Sequence, residues 1–551
     1  MPRWAKTAQN DEPLTQVGDN AFYGLDMKTR DPAAMKPGTY REAYNVRSEN
    51  GSLVTRGGSL MPGSFNYANY NRIFGVEIFS NPDGLEWLAV AVKSGVWFVR
   101  DGEAPRFVPL EEALTYPVNF VQAFDKFFLF RGPNHIPLVW NGDWSVFWTP
   151  FPPPTGGRDT IPNADTGEFY ANRLIVPYGK DRIAVSDIGD YTMYDWFLAN
   201  FQINFGESDS LIRVFPWIKQ TLLMFKNHSI YKVSNVYGDL SQTTMDVVST
   251  DRGLVGLKAV VSIGNDVYFM DFTGVYQISQ IFENSPQVQA LPISDAIKPI
   301  INEINWNAAA GIRANARRER LYFAIPLKNA IRNNALIVYN LILQSWESID
   351  TFDDQDFRID DLVRSSYNNE RRLFAIDRER GMIVLLEQGK TDLLGQTSAS
   401  EYQIKSDVIT RGYLGGGPRS NFQRVQLDVS LWNSRYDIDA FCDGGNAKSI
   451  ARATSSDRTK YEVWGKPKWN VVNLNDDHAD AYRQDYSVKL PLRLGYNGVQ
   501  LEREQEISKR YRIGMFGRYC QLRIGNEQGT FGLRSVIFEG FEDQRQERSQ
   551  I

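Results

Sequence analysis

The sequence predicts an all-β protein, with a β-propeller of about six to seven blades and a C-terminal antiparallel β-sandwich or platform domain. Three observations predict this class. Short apolar strands recur along the chain at intervals of roughly 40–50 residues. Aromatic residues make up 13% of the 551 residues and occur throughout the chain. Long helical periodicity is almost absent, whereas aromatic and β-branched side chains favour the pleated, half-buried surface of strands.

The repeat is a strand, a polar turn, a strongly apolar strand, a second polar turn and another apolar strand. This is the pattern of consecutive β-hairpins. Seven segments show it, and their strongly apolar strands begin at Leu88, Phe127, Leu174, Leu222, Val267, Leu321 and Leu373. A hairpin cannot bury its apolar face alone, but a ring of blades can. The alternative is a series of unrelated hairpins in one large sandwich, and an N-terminal strand that completes the last blade stays possible.

Few elements other than strands are indicated. The two helix candidates are SDAIKPIINEI, from Ser294, and LEREQEISKRYRI, from Leu501. The first has a Ser-Asp start and isoleucines near helical spacing, which favours a short helix. The proline-rich segment TPFPPPTGG, from Thr149, predicts a rigid connector between the second and third repeats.

The repeat stops after about residue 395, and a different β pattern follows. The segments RVQLDVSLW, from Arg424, and RYDIDAFCDG, from Arg435, alternate apolar and polar residues. Such alternation indicates half-buried antiparallel strands, and the polar residues from about 446 to 490 indicate a long exposed loop or hairpin. The predicted parts are an extended N-terminal arm with its first strands (1–68), the propeller (69–395) and the platform domain with its polar loop (396–551).

Composition excludes several classes of protein. The net charge of −5 lacks the basic excess of a nucleic-acid clamp, although it permits a channel through which nucleic acid slides. The two cysteines, Cys442 and Cys520, are too few for a secreted disulfide scaffold, so we expect free buried thiols. No signal peptide and no apolar run of the ~18 residues needed to span a membrane is visible. We therefore expect synthesis in the cytoplasm without export by the ordinary secretory route.

No catalytic, cofactor or metal residues are predicted, so the chain is not expected to be an enzyme. The three histidines, His135, His228 and His478, are far apart, and no GxSxG or CxxC motif occurs. Two acidic segments lack the ordered ligand spacing of a calcium loop and are interpreted as solvated loops. Their residues are Asp476, Asp477, His478 and Asp480 in the first and Asp353, Asp354 and Asp356 in the second.

Three further segments have a structural and a functional interpretation. VSDIGDYTMYDW, from Val185, resembles the Asp-box turn of sialidase propellers, but Ser186 and Asp187 are adjacent and the intervening residue is missing. We interpret it as a blade turn whose Asp side chains accept hydrogen bonds from backbone amides. Arginines also cluster at two turns, beside Glu319 and Glu370, and predict solvated salt bridges, with contact to DNA or a neighbouring subunit as the alternative. These arginines are Arg313, Arg317, Arg318, Arg320, Arg371 and Arg372.

The stretch from Gly24 to Gly58 carries an N-x-R, G-x-L, R-x-G pattern. Its residues are Asn45, Arg47, Gly51, Leu53, Arg56 and Gly58. This pattern resembles the opening of the tail nozzle proteins, also called tubular tail or tail-hub proteins, of short-tailed bacteriophages. The middle of the chain, from Ala171, and the later β domain resemble the same family.

The resemblance implies a structural virion protein rather than an enzyme. It implies a ring, a homo-hexamer, that surrounds a channel for double-stranded DNA and helps to retain and eject the genome. It also implies partners, namely portal and adaptor proteins and tail fibres or spikes, and DNA that passes without sequence-specific binding. Two alternatives stay open: a carbohydrate-binding or depolymerising propeller, and a peripheral fibre-adaptor or receptor-binding protein.

Overall fold

A computed structural model describes most of the chain. The described residues are 15–63, 65, 69–153, 159–194, 200–202, 208–218, 221–236, 239–282, 285–395, 400–415, 419–454, 493–494, 500–501 and 505–542. The chain divides into two compact units, Met1–Arg56 with Gln403–Ile551, and Gly57–Tyr402. The sequence-based boundaries at 68 and 395 differ from these, since the N-terminal strands join the C-terminal unit and not a separate arm.

The N-terminal part of the first unit consists of short strands. They are β1 (Thr15–Asp19), β2 (Gly24–Leu25), β3 (Thr39–Tyr44), β4 (Val46–Glu49) and β5 (Ser52–Thr55). Strands β4 and β5 form a hairpin, and β2 runs parallel to β3. A 3-10 turn, Pro32–Ala34, is capped by the side chain of Asp31.

The second unit is built from antiparallel meanders of short strands. Strand β6 (Ser59–Leu60) precedes the first meander. The strands of the first three meanders are β7 (Ile73–Ser80), β8 (Glu86–Val92), β9 (Gly95–Val99), β10 (Arg106–Pro109), β11 (Asn119–Ala123), β12 (Lys126–Phe130), β13 (Leu138–Trp140), β14 (Thr149–Pro150), β15 (Glu168–Tyr170), β16 (Arg173–Tyr178), β17 (Arg182–Asp187), β18 (Asp190–Tyr194) and β19 (Asn200–Gln202).

The remaining meanders continue the same pattern. Their strands are β20 (Leu211–Pro216), β21 (Thr221–Lys226), β22 (Ile230–Ser234), β23 (Thr244–Ser249), β24 (Val260–Ile263), β25 (Asp266–Asp271), β26 (Gly274–Phe282), β27 (Ser285–Val288), β28 (Arg313–Arg317), β29 (Arg320–Ile325), β30 (Ala335–Asn340), β31 (Ser345–Asp350), β32 (Asp361–Tyr367), β33 (Glu370–Asp377), β34 (Met382–Leu386), β35 (Asp392–Leu394) and β36 (Ser400–Tyr402).

The meanders are the blades of a β-propeller-like ring. Within the described residues, six meanders are hydrogen-bonded sheets of their own, and residues 313–350 form a further meander between the fifth sheet and the last. Neighbouring first strands are in contact around the ring, including β28 with β32 and β32 with β7. Each of the seven apolar strands predicted from the sequence lies in the second strand of one meander. The predicted all-β propeller is therefore confirmed.

Strand β6 closes the ring. Ser59 and Leu60 pair antiparallel with Leu386 and Leu385 of β34, so a segment from the start of the unit completes the last blade. The amide of Gly58 donates to the carbonyl of Gly389 at 2.9 Å. Backbone hydrogen bonds between residues more than 300 positions apart in sequence therefore close the ring.

The cores of this unit lie between neighbouring blades. Between the first two blades, Phe79, Trp87, Phe98, Phe127 and Trp140 are almost fully buried in one cluster. The rings meet at tilted and edge-on angles, with 5.0 Å between the centroids of Phe79 and Trp140. Similar clusters join other neighbouring blades, because each sheet face is apolar and only the next blade covers it.

Helical structure is confined to short turns in the described residues. The first helix candidate is confirmed, as a 3-10 turn, Ile293–Ile297, runs into helix α1 (Lys298–Asn302). Two more 3-10 turns are Leu240–Gln242 and Trp306–Gly311. No helix among the residues described is long and apolar enough to cross a bilayer.

Two very long strands dominate the C-terminal part of the first unit. Its strands are β37 (Ser406–Thr410), β38 (Tyr413–Leu414), β39 (Ser420–Cys442), β40 (Lys448–Thr454), β41 (Arg493–Leu494), β42 (Gln500–Leu501), β43 (Gln505–Gly517) and β44 (Tyr519–Glu542). Strands β39 and β44 pair antiparallel along their whole length, from Ser420 opposite Glu542 to Cys442 opposite Cys520. The predicted additional antiparallel β unit is therefore confirmed.

The second helix candidate was wrong. The segment from Leu501 enters β43, which pairs with β39 from Ser420 to Leu431. Tyr511 and Ile513 are buried while Arg510 and Arg512 are exposed, which is the period of a strand. Within the predicted polar loop or hairpin, Lys448–Thr454 is strand β40 and pairs antiparallel with the end of β39, as in a hairpin. The part after Thr454, including Asp476, Asp477, His478 and Asp480, lies outside the described residues, as do residues 154–157 of the proline-rich connector.

Candidate functional site

Charged side chains meet at the centre of the propeller unit. The first strands of several blades each bring one: Glu77 in β7, Glu168 in β15, Arg213 in β20, Arg313 in β28 and Asp361 in β32. Lys258, just before β24, lies beside them, because its backbone forms an isolated parallel β-bridge with Arg313. Two clefts, of about 300 and 340 Å³, share Glu77, Arg213 and Lys258 in their walls. We call these six residues the central cluster.

Asp361 is the buried anion of the central cluster. Its side chain is 0% exposed, and Lys258 Nζ lies 2.8 Å from its Oδ2. Arg378 lies 3.0 Å from the same oxygen, and Arg313 Nε lies 3.9 Å from Oδ1. Burial alone raises the pKa of Asp361, but Lys258, Arg378 and Arg313 together outweigh it and bring the pKa to about 2. Asp361 is therefore ionised, and its carboxylate links the segments that carry Lys258, Arg313 and Arg378.

The pKa values of Glu77 and Glu168 are shifted upward, in the opposite direction to that of Asp361. Burial raises the pKa of both carboxyl groups, and it brings the pKa of Glu168 to about 7. Lys258 Nζ is 3.8 Å from Glu77 and Arg213 is 3.7 Å from Glu168, and these cations lower the two pKa values by less than burial raises them. The carboxyl of Glu168 therefore exchanges its proton close to neutral pH.

The clefts can accommodate a polar ligand beside these groups. Phe120, Phe169 and Phe215 add apolar surface to the walls. A carboxyl group with a raised pKa near a second carboxylate is one element of acid–base chemistry on sugars. The sequence analysis missed the central cluster because its residues come from six different repeats, and no local motif links them.

The motif that carries the phage-tail resemblance forms one buried hairpin. Asn45, Arg47 and Arg56 are 2–3% exposed. Arg56 Nε donates to Asn45 Oδ1 at 3.0 Å, and Asn45 Nδ2 donates to the carbonyl of Lys405 at 2.7 Å. Asn45 and Gly51 adopt positive φ, of 57° and 79°, which Asn and Gly tolerate best. The motif residues thus build the fold of the first unit.

Gly58, the last residue of the motif, lies in the propeller unit. A Cβ atom at this position would be 2.0 Å from the carbonyl oxygen of Thr391. Only glycine allows this close approach of two backbones, which places β6 against the last blade. This is the physical requirement behind the glycine of the R-x-G element.

Arginines of both clusters pair with acidic residues of the chain. Arg320 Nε lies 2.7 Å from buried Glu347, and Arg371 lies 2.6 Å from Glu86. The predicted acids also contact arginines: Glu319 lies 2.8 Å from Arg320, and Glu370 lies 2.6 Å from Arg372 and 3.7 Å from Arg318. Salt bridges are thus present at both turns, as predicted, but those of Arg320 with Glu347 and of Arg313 with Asp361 are buried and not solvated. Contact with DNA or a subunit stays a prediction.

The other candidate segments have local structural roles. Asp190 accepts hydrogen bonds from the amide and hydroxyl of Thr192 at 2.8 and 2.7 Å, as expected for a blade turn. Asp354 accepts from the amide of Asp356 and pairs with Arg380 at 2.8 Å. Across the described ranges, no group of three or more His, Cys, Asp or Glu residues is placed to hold a metal ion. Cys442 and Cys520 are free and buried, which confirms that prediction.

Comparisons with known proteins give likenesses of structure alone. No protein-family model and no curated protein matches the sequence. The extracellular domain of the putative one-component system BT4673 of B. thetaiotaomicron has a TM-score of 0.39 and 8% identity; the match covers 76% of this chain and 59% of that one. A streptogramin B lyase structure has a TM-score of 0.38 and 10% identity, covering 60% and 97%. PorZ of Porphyromonas gingivalis has a TM-score of 0.39 and 9% identity, covering 72% and 55%. At these scores the matches carry no argument about function.

Proposed function

We propose that the protein is a structural subunit of a short bacteriophage tail, a nozzle that forms a hexameric ring around the DNA channel. In this role it retains the packaged genome and releases it into the host. Its partners are other copies of the chain, portal and adaptor proteins, and tail fibres or spikes. Its place is the virion, after synthesis in the host cytoplasm.

The buried N-terminal hairpin is the observation that carries the proposal. Asn45, Arg47, Gly51, Leu53 and Arg56 carry the resemblance to nozzle proteins, and they form one hairpin in the unit that contains β39 and β44. A resemblance located in a buried, hydrogen-bonded element supports a shared fold better than one in an exposed loop. The two long strands also offer an extended surface on which subunits can stack.

The charge of the chain also supports a conduit. A net charge of −5 repels phosphates weakly, so DNA would slide past without being trapped. The cations of the central cluster support this as well, since Lys258 and Arg313 both lie within 4 Å of the ionised carboxylate of Asp361.

The test is to image the particle that contains this chain. Several copies in a closed ring on the tail axis, with an open channel, are expected. A single copy away from the axis would contradict the nozzle and favour the peripheral fibre-adaptor role.

A glycan-binding or depolymerising propeller is the second candidate. It is favoured by the clefts that hold Glu77 and Glu168, whose raised pKa values suit acid–base chemistry. Purified protein should then bind or cleave bacterial surface polysaccharides. Glu168→Gln should abolish cleavage, while the control Glu112→Gln, at a carboxylate that is 73% exposed, should not. No binding to a panel of such glycans would remove this candidate.

A further inference from the structure

The two cysteines of the chain lie opposite each other in the C-terminal sheet. Cys442 is the last residue of β39, and Cys520 is the second residue of β44. They are direct partners in the antiparallel register. Their side chains are buried, with exposures of 7% and 0%, and both are free thiols. Directly opposed residues project on the same face of a sheet, so the two thiols are neighbours.

The backbone hydrogen bonds define which kind of pair this is. One step along the ladder, the amide of Asp443 donates to the carbonyl of Tyr519 at 3.3 Å. Hydrogen-bonded and non-hydrogen-bonded pairs alternate in an antiparallel ladder, so Cys442 and Cys520 form a non-hydrogen-bonded pair. Leu522, two positions along from Cys520, fits the same alternation. Its amide donates to Thr410 Oγ1 at 3.0 Å and not to its partner in β39, Ala440.

This geometry suits a covalent bond between the sulfur atoms. In non-hydrogen-bonded pairs the Cα atoms lie about 4.5 Å apart. Disulfides join cysteines whose Cα atoms are about 4.4–6.8 Å apart. The pair lies at the short end of that range, so a bond can form without a large movement of either strand.

We propose that Cys442 and Cys520 form a redox site, which a low-molecular-weight disulfide such as oxidised glutathione converts to a cross-strand disulfide. One protein thiolate attacks the small disulfide, forms a mixed disulfide and releases one small thiol. The second protein thiolate then displaces the second small thiol. The protein thiols lose two protons and two electrons, and the small disulfide is reduced to two thiols. The proposal does not depend on the proposed tail function.

The surroundings set the order and speed of these steps. Cys442 is the more exposed thiol, so it is the one that the small disulfide reaches first. Gly517 packs closely against Cys442, because a Cβ atom at position 517 would lie 2.8 Å from Cys442 Cβ. The hydrogen bond with Cys442, together with burial, raises the pKa of Cys520 far above its usual range. Since the thiolate is the attacking form, exchange is slow at neutral pH and faster at higher pH.

The experiment measures thiols in the native full-length chain after incubation with oxidised glutathione at mildly alkaline pH. The chain is then denatured and alkylated, and its intact mass and peptides are analysed. We expect both thiols to be lost, no glutathione to be retained and one cross-linked peptide pair that contains Cys442 and Cys520. The oxidised chain should also unfold at a higher temperature, since the bond closes the span between β39 and β44.

The single variants provide the control. Cys442→Ser and Cys520→Ser each leave one thiol, which should end as a mixed disulfide with glutathione or stay free. The proposal is overturned if the wild-type chain keeps two alkylatable thiols, retains glutathione as its stable product, or forms disulfides between chains. The wild-type peptide map decides this even if a variant fails to fold.

Discussion

Buried charges organise the centre of the propeller unit at the scale of single residues. Asp361 is completely buried, and Lys258, Arg313 and Arg378 surround it. Removing one member of such a group leaves the others desolvated without compensation, which costs more than the group contributes when complete. The central cluster therefore makes the ring sensitive to changes at Asp361.

Replacement of Asp361 tests this dependence. We expect Asp361→Asn to lower the free energy of unfolding by about 3–5 kcal/mol, because three cations lose their shared carboxylate. Chemical denaturation measures the change. The control is Asp246→Asn, since Asp246 is 60% exposed and pairs with Lys232 at 3.1 Å on the surface. The control should change stability by less than about 1 kcal/mol. Equal effects of the two substitutions would contradict the account.

Glu168 gives the propeller a predictable pH dependence. Its folded-state pKa of about 7 lies above the ordinary value of 4.5. The folded chain thus holds this proton more tightly than the unfolded chain, so stability falls as the pH rises from 4.5 to about 7 and is level above that range. We expect Glu168→Gln to be more stable than wild type at pH 8, by on the order of 1–2 kcal/mol after allowance for partial exposure.

Thermal unfolding at several pH values measures this difference. The two proteins should approach each other in stability at acid pH, where Glu168 is protonated in both the folded and unfolded chain. Glu112→Gln, at an exposed position, should follow the wild-type curve. A Glu168→Gln protein that is less stable than wild type at pH 8 and equal to it at acid pH would show that the carboxylate is needed in its charged form, which would contradict the raised pKa.

At the scale of elements, local patterns explain which predictions succeeded. The apolar second strands, such as Phe127–Phe130 and Leu222–Phe225, are buried on both faces and therefore appear as continuous apolar runs. The helix at Lys298 was predicted for a similar reason, since its isoleucines repeat at helical spacing and are buried. Each of these signals lies within a few neighbouring residues.

Non-local pairing explains what the sequence did not reveal. Strand β1 pairs with β44, and Thr15 lies opposite Gly540, so no local pattern could assign the N-terminal strands to the C-terminal unit. In β43 the charged residues favour a helix by propensity, but pairing with β39 overrides it. The central cluster was missed for the same reason, because its charges meet only after the ring has closed.

Closure of the ring by β6 leads to a test with two glycines. We expect Gly58→Ala to destabilise the propeller by about 1–3 kcal/mol, since the new methyl group collides with the backbone of Thr391. The matched control is Gly311→Ala, where an added Cβ meets nothing within 4 Å. That control should stay within about 0.5 kcal/mol of wild type. Denaturant unfolding compares them, and a neutral Gly58→Ala would mean that β6 does not hold the ring closed.

At the scale of the whole molecule, a propeller-like ring and a unit with two very long strands occur in one chain. The propeller alone does not indicate a function, because the same fold serves many. The phage-tail interpretation depends on the N-terminal hairpin and on the mild negative charge of the chain. It describes a passive conduit, in which assembly and not chemistry is the activity.

An image of the particle in which this chain assembles tests the proposed tail role, the central claim, most directly. Electron cryo-microscopy of the tail should resolve a closed ring of identical subunits, six by the resemblance, around an open axial channel below the portal and adaptor. The density of each subunit should fit a propeller and a β unit with two long paired strands. A single copy off the tail axis, or a ring without a channel, would contradict the account.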